Sequence, residues 1–472
     1  MKTSFQHFQA GLAHYRAGDL DSSIPEYQEA LRLNPSFAQA HYDLGLVYQR
    51  KGLVDEAIEE YQHALRLNPE SPKAHNNLGM MLEAKGLVEE AVTEYQDALE
   101  VAPYLFSANF NYANVLRRQG ELEAAAARYR IAIGRKPDFV DAHLNLGLAL
   151  AELKDSDAAI TEYRECLRLQ LDYDKARLNL GNAYRRQRKW DEAVREYRAC
   201  LQASPDCVQA HYFLGVCFRH MGRPRDALSS LEAALMIDPR FGPAQRQRGL
   251  ILAKKGKRRA AVAAYREAVR LDPSDCFARN ELALTWEKMG RKTLAEAQCR
   301  EAVQACPQDV DAHFNLANLL RTSGRLEEAI AEYQVALAIN PNSFGAQLNL
   351  GLSLEARGAK EWAIIHYRKA VQLQPDSAKA HCWLGDCLGD VGEITEAVGE
   401  LREAIRLAPH EAVTHSLLGM TLIRDGRYAE GFREMGKAIL LRPWNPLFWL
   451  VLGLSLMLAF LQWFFRIDAR SR

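Results

Sequence analysis

Residues 41–69 read HYDLGLVYQRKGLVDEAIEEYQHALRLNP, and this stretch decides the fold. Its first part, 41–51, spaces apolar side chains three and four apart, the period of one helical face. Gly52 interrupts that pattern. The second part, DEAIEEYQHALRLN at 55–68, predicts another amphipathic helix, and Pro69 stops it. A hairpin of two such helices cannot bury its apolar face alone, so the pattern makes a fold only if neighbouring copies cover it.

The copies are present. Frames of 34 residues starting at Ser4 repeat thirteen times, without insertion or deletion, as far as Asn445. They are 4–37, 38–71, 72–105, 106–139, 140–173, 174–207, 208–241, 242–275, 276–309, 310–343, 344–377, 378–411 and 412–445. Position 32 is Pro in twelve frames, with Leu171 the exception. Positions 20 and 27 are each Ala in eleven, position 8 is Gly in ten and Ala in three, and position 24 is Tyr in nine. Small residues at 8, 20 and 27 let two helices approach closely. The ring at position 24 fills the space between them.

This pattern resembles the tetratricopeptide repeat (TPR) family, over residues 4–445. The resemblance implies an all-α, right-handed superhelical solenoid of about 13 helix-hairpin repeats, its concave face lined by the first helix of each. It implies protein binding without naming a client, because such arrays serve many assemblies.

Composition fits an ordinary soluble fold and excludes several other classes. Of 472 residues, 48% are hydrophobic and 25% charged, which excludes a disordered or collagen-like chain. Lys plus Arg and Asp plus Glu are both 60, so nucleic acid is not an expected partner. The charge is uneven: residues 1–173 carry 17 basic and 26 acidic side chains, and residues 174–275 carry 21 and 11. Nine cysteines, an odd number, do not make a secreted disulfide scaffold and are expected to be reduced thiols. The start of the chain lacks an apolar segment of the signal-peptide kind.

Position 6, on the first helix, is Asn at Asn77, Asn111, Asn145 and Asn179 in succession, then at Asn315 and Asn349. Phe213, Gln247 and Glu281 interrupt the column. An amide both donates and accepts, so one per repeat suits the backbone of an extended peptide. The column resembles the asparagine ladder in the TPR array of O-linked N-acetylglucosamine transferase. No catalytic domain follows within the sequence, so the resemblance implies the binding device and not the activity. The alternative is a structural amide bonded to a neighbouring helix. Positions 12 and 13, also groove-facing by the resemblance, supply Arg117, Arg118, Arg185, Arg186, Arg219 and Arg321. With Lys175 and Arg246 they predict a stretch that accepts acidic peptides. The run KKGKRR at 254–259 falls at an inter-helix turn and reads as an exposed loop.

Nothing in the sequence carries catalysis. Eight of thirteen histidines, His7, His41, His75, His143, His211, His313, His381 and His415, fall at position 4, and such recurrence marks packing. HEAVTH at 410–415 misses the spacing of a zinc helix, and no CxxC, phosphate loop, dinucleotide fingerprint or GxSxG elbow occurs. No enzyme activity, cofactor or metal is therefore expected.

The last segment, 446–465, is PLFWLVLGLSLMLAFLQWFF, and 466–472 is a short basic tail. Residues 447–465 carry no charge and as a helix reach about 28 Å, near the bilayer's apolar thickness. Trp449, Leu452, Leu456, Phe460 and Trp463 would be its membrane-facing anchors. The expectation is a C-terminal single-pass anchor with the repeats in the cytoplasm. A second reading places Trp449, Leu452 and Gly453 at positions 4, 7 and 8 of a fourteenth frame, packing as one more repeat helix that caps the array. The functional expectation is a membrane-held scaffold that captures extended peptide segments. The rivals are a self-assembling structural oligomer, and the targeting subunit of a separately encoded enzyme such as a glycosyltransferase.

Overall fold

The computed structural model describes residues 2–446, 448–454, 456 and 457. Among them every regular element is an α-helix, in an unbroken series from Ser4–Ala17 to Tyr428–Leu441. The fold is all-α, built of successive pairs of packed helices. It divides into two compact units, one ending at Pro239 and the other beginning at Arg240.

The first unit shows why the repeat positions are chosen as they are. The helix Ala38–Lys51 ends at Gly52, whose φ of 75° turns the chain while its N–H caps two carbonyls. The helix Val54–Leu67 then returns antiparallel and buries Ala57, Tyr61 and Ala64. Tyr61 is completely buried, because its ring lies against Gly45 of the first helix. A Cβ on Gly45 would stand 2.7 Å from that ring, too close for any substituent. The same contact joins Gly79 to Tyr95, Gly147 to Tyr163 and Gly181 to Tyr197. The first helices of successive hairpins also touch, as Pro72–Lys85 touches Phe106–Gln119, so they share one face of the unit.

The second unit repeats this packing with variations. Gly249 meets Tyr265 and Gly351 meets Tyr367, while Gly385 meets Leu401 and Gly419 meets Met435. Two residues carry the left-handed turn without glycine, both in the first unit: Lys154 at φ 66° and Arg188 at φ 59°.

Two expectations need correction. Cys276 and Cys306 form a disulfide with their Cα atoms 6.1 Å apart, so the nine cysteines are not all free thiols. The bond closes one hairpin, joining the first residue of its first helix to the residue after its second. The expected single-pass membrane localisation is also overturned. No helix among the described residues is long and apolar enough to cross a membrane. The described part of the apolar segment instead begins as another helix docked on the array. Phe448 is buried against Ala412, Ala438 and Ile439, with Leu452 packed beside it. Of the expected anchors, Trp449 and Leu456 are exposed and Leu452 half-buried, while Phe460 and Trp463 lie outside the described residues. The physical reason is that the uncharged stretch also satisfies the repeat's register, which offers its first turns an apolar seat within the protein.

Candidate peptide-binding face

The first helices carry the candidate site, and one recurring bond sets their attitude. In the second repeat, His41 Nδ1 lies 2.6 Å from Glu60 Oε2, and its Nε2 lies 3.2 Å from the Pro35 carbonyl. His75, His143, His313, His381 and His415 repeat both contacts. A carboxylate and a carbonyl both accept only, so a ring makes both bonds at once only when each of its nitrogens carries a proton. The hydrogen bond that His75 donates to Glu94 raises its pKa, and that from His143 to Glu162 raises His143, in each case against desolvation. Where histidine is absent another donor takes the carbonyl: Asn109 to Pro103, Arg177 to Leu171, Arg279 to Pro273 and Gln347 to Pro341. The recurrence of His at position 4, six residues after Pro, was the visible signal for this clamp. The same clamp disposes of the one cluster of metal-ligating type among the described residues, His75, Glu94 and Asp97. Both ring nitrogens of His75 are already engaged, so no lone pair is left for an ion.

The position-6 amides are half-buried. Asn111 donates to Asn76 at 3.0 Å, Asn145 to Asn114 at 2.9 Å and Asn349 to Asn318 at 2.8 Å, each across to the preceding first helix. Asn77 donates to Tyr42 and accepts from Asn76, whereas Asn179 donates to the Lys175 carbonyl of its own helix. Asn315 is half-buried in the second unit. Asp43 stands one repeat before the first asparagine of the column, and burial pushes its carboxyl up to about 6 while Gln39 donates to it at 3.0 Å.

The asparagines at position 9 were not singled out by sequence. Asn114, Asn182 and Asn318 accept from Tyr129, Tyr197 and Tyr333 at 2.6, 2.9 and 2.6 Å. These three repeats carry Arg at position 12, which cannot accept a proton. Repeats with Gln49, Glu83 or Glu355 at position 12 use that side chain as the acceptor and place an apolar residue at position 9. In these six repeats positions 9 and 12 vary together so that the buried phenol has one acceptor, whereas the Tyr27 hydroxyl, with Leu12 and Tyr15 at those positions, has none.

Several of the expected groove cations are occupied within the protein. Arg117 pairs with Glu152 at 3.1 Å, Arg118 pairs with Glu83, and Arg186 donates to the Ala151 carbonyl. Arg246 makes two bonds to Asp275, at 3.0 and 3.1 Å. Arg185 lies over the Phe213 ring, 4.7 Å from its centroid, and Arg219 donates to His220. Lys175 is exposed, and Arg321 is half-buried.

The family models decide the rest. A model described as tetratricopeptide repeat matches residues 8–72, 48–105, 111–170, 178–244, 246–310 and 348–412, and two others cover 299–331 and 317–358. This chain belongs to the tetratricopeptide repeat family. TPR proteins are in general non-catalytic scaffolds, and the fold here is of that kind. No curated protein matches the sequence. Among solved structures, the Cut9–Hcn1 hetero-tetramer of the APC/C is similar at 14% identity, covering 89% of this chain and 97% of its own, with TM-score 0.43. Yeast Tom70 is similar at 16% identity over 90% of this chain and 96% of its own, TM-score 0.42. YrrB, a TPR protein with an unusual peptide-binding site, is 21% identical over 39% of this chain and 95% of its own, TM-score 0.33.

Proposed function

We propose that this TPR protein is a scaffold that captures extended, acidic segments of partner proteins on the first-helix face of its first unit. Residues 4–445 are taken as the thirteen repeats of the array. The observation that carries the reading is the column Asn77, Asn111, Asn145 and Asn179. Asn111 and Asn145 each spend one N–H on the neighbouring helix, which orients the amide. Each keeps its Oδ1 and a second N–H for a ligand, once per repeat. That arrangement suits the regularly spaced N–H and C=O groups of an extended backbone, whatever its side chains. Lys175, Arg185 and Arg219 add positive charge that no carboxylate of the array neutralises, which supports an acidic client. Arg117, Arg118, Arg186 and Arg246 are already held by neighbours and act by positioning the helices.

Selection of random displayed peptides on the full chain tests this. Enriched peptides are expected to be acidic, and Asn111→Ala, Asn145→Ala and Asn179→Ala together should weaken their binding at least tenfold with an unchanged circular dichroism spectrum. Absence of enrichment, or undiminished binding by the triple variant, rejects the reading.

A further inference from the structure

We propose that the outer face of the C-terminal helix, along Trp449, Gly453 and Met457, is a docking site for an amphipathic α-helix of a partner protein that presents small, bulky apolar and small residues at positions i, i+4 and i+7. The argument starts from what each described hairpin does with these positions. The eighth-position glycine of a first helix receives a bulky side chain from position 24 of its own second helix: Tyr367 on Gly351, Leu401 on Gly385, Met435 on Gly419. Alanine or glycine at positions 20 and 27 of the second helix, such as Gly431 and Ala438, allows that approach. Gly453 stands at the eighth position of the next frame, yet a Cβ built there meets nothing within 4 Å. Among the described residues no side chain fills this socket.

The base of the socket is fixed. Phe448 and Leu452 are seated on Ala412, Ala438 and Ile439, and Trp449 Nε1 donates to the Pro443 carbonyl at 3.1 Å. The face turned away is apolar and open: Trp449 is 55% exposed and Met457 54%. The sequence that follows does not carry the small, bulky, small pattern in register. It places Phe465, Ala469 and Arg472 at positions 20, 24 and 27, the reverse of small, bulky, small.

The lining also states the chemistry of the guest. An indole has a single N–H, and Trp449 has spent it, so the guest needs no carboxylate where Glu434 faces His415. Met457 stands where Glu83 or Glu355 accepts a tyrosine hydroxyl, so a phenol would find no acceptor. The guest's central side chain is therefore Phe, Leu or Met, and its flank is uncharged. This helix-on-helix site is separate from the extended-peptide face of the first unit.

A fluorescein-labelled synthetic peptide of residues 428–441, with Glu434→Leu, is a suitable probe because it carries Gly431, Met435 and Ala438. Fluorescence anisotropy with the full chain should give saturable binding, weakened at least tenfold by Gly453→Leu and by Met457→Arg. Gly399→Leu, at another open glycine, should leave binding unchanged. Absence of saturation, equal binding by both socket variants, or equal binding of a scrambled peptide overturns the proposal.

Discussion

Trp449 Nε1 donates to the carbonyl of Pro443 at 3.1 Å, six residues back, and His415 Nε2 makes the same bond to Pro409 at 3.1 Å. One rule of the array therefore continues into a segment whose composition suggests lipid. Replacing Trp449 with Ala should loosen this helix, and Trp449→His should largely restore it. The lost bond and partial ring burial amount to about 1–2 kcal/mol, seen as faster hydrogen exchange of amides 448–454 in the alanine variant alone. Equal exchange in all three proteins would show that the clamp does not hold the segment.

Lys154 occupies a left-handed turn, φ 66°, where the neighbouring repeat has Gly120 at φ 85°. A Cβ in that conformation costs roughly 1–2 kcal/mol, while glycine adopts it freely. Lys154→Gly should therefore raise the urea midpoint of unfolding, against the usual direction for a glycine substitution. A lowered midpoint would mean the lysine side chain contributes more than its backbone loses.

His143 lies between Glu162 Oε2 at 2.7 Å and the Pro137 carbonyl at 3.0 Å, and the glutamate raises its pKa. The sign follows from linkage: the folded state holds the proton more tightly than the unfolded one, whose value is about 6.5. The clamp's electrostatic stabilisation is full below that value and is lost as pH rises through the folded pKa. His75, with its pKa raised by Glu94, adds to the same trend. Thermal midpoints between pH 6 and 9 should fall more for the wild type than for His143→Asn, which keeps only the donor that Asn109 uses. Parallel curves would exclude a charged clamp.

Asp43 is buried, and desolvation raises its carboxyl to about 6. A carboxyl raised on folding stabilises only while protonated, so its contribution declines as pH climbs from about 3.9 to 6 and stays lower above. Asp43→Asn removes that loss and should stabilise the first unit by roughly 1–3 kcal/mol at pH 7.5, at 1.36 kcal/mol per pKa unit. At pH 4.5 the two proteins should nearly coincide in urea titrations.

Much of the candidate face was legible before the structure, although its bonding was not. The asparagine column was visible because it recurs at one phase of the repeat. Its partners were not, because Asn76 and Asn114 belong to the preceding repeat and approach only when first helices stack. Likewise Glu152 and Glu83 neutralise Arg117 and Arg118 across repeat boundaries, so a basic run along the sequence is not a basic run in space. The Cys276–Cys306 bond lies within one repeat and was hidden by separation along the chain instead. The first residue of one helix and the residue after its partner are neighbours only because the hairpin folds back, as Ser204 and Asp174 show at 2.9 Å.

The sequence by itself determined the all-α class, the hairpin unit and the small-against-aromatic seam, because these depend on contacts within one repeat and recur often enough to stand out from chance. The tertiary structure alone decided which amides and arginines remain available and what the apolar terminal segment does. Those outcomes depend on contacts between repeats: a neighbour's carboxylate, a carbonyl six residues back, or a seat on Ala438 changes the surroundings of a side chain without changing its identity.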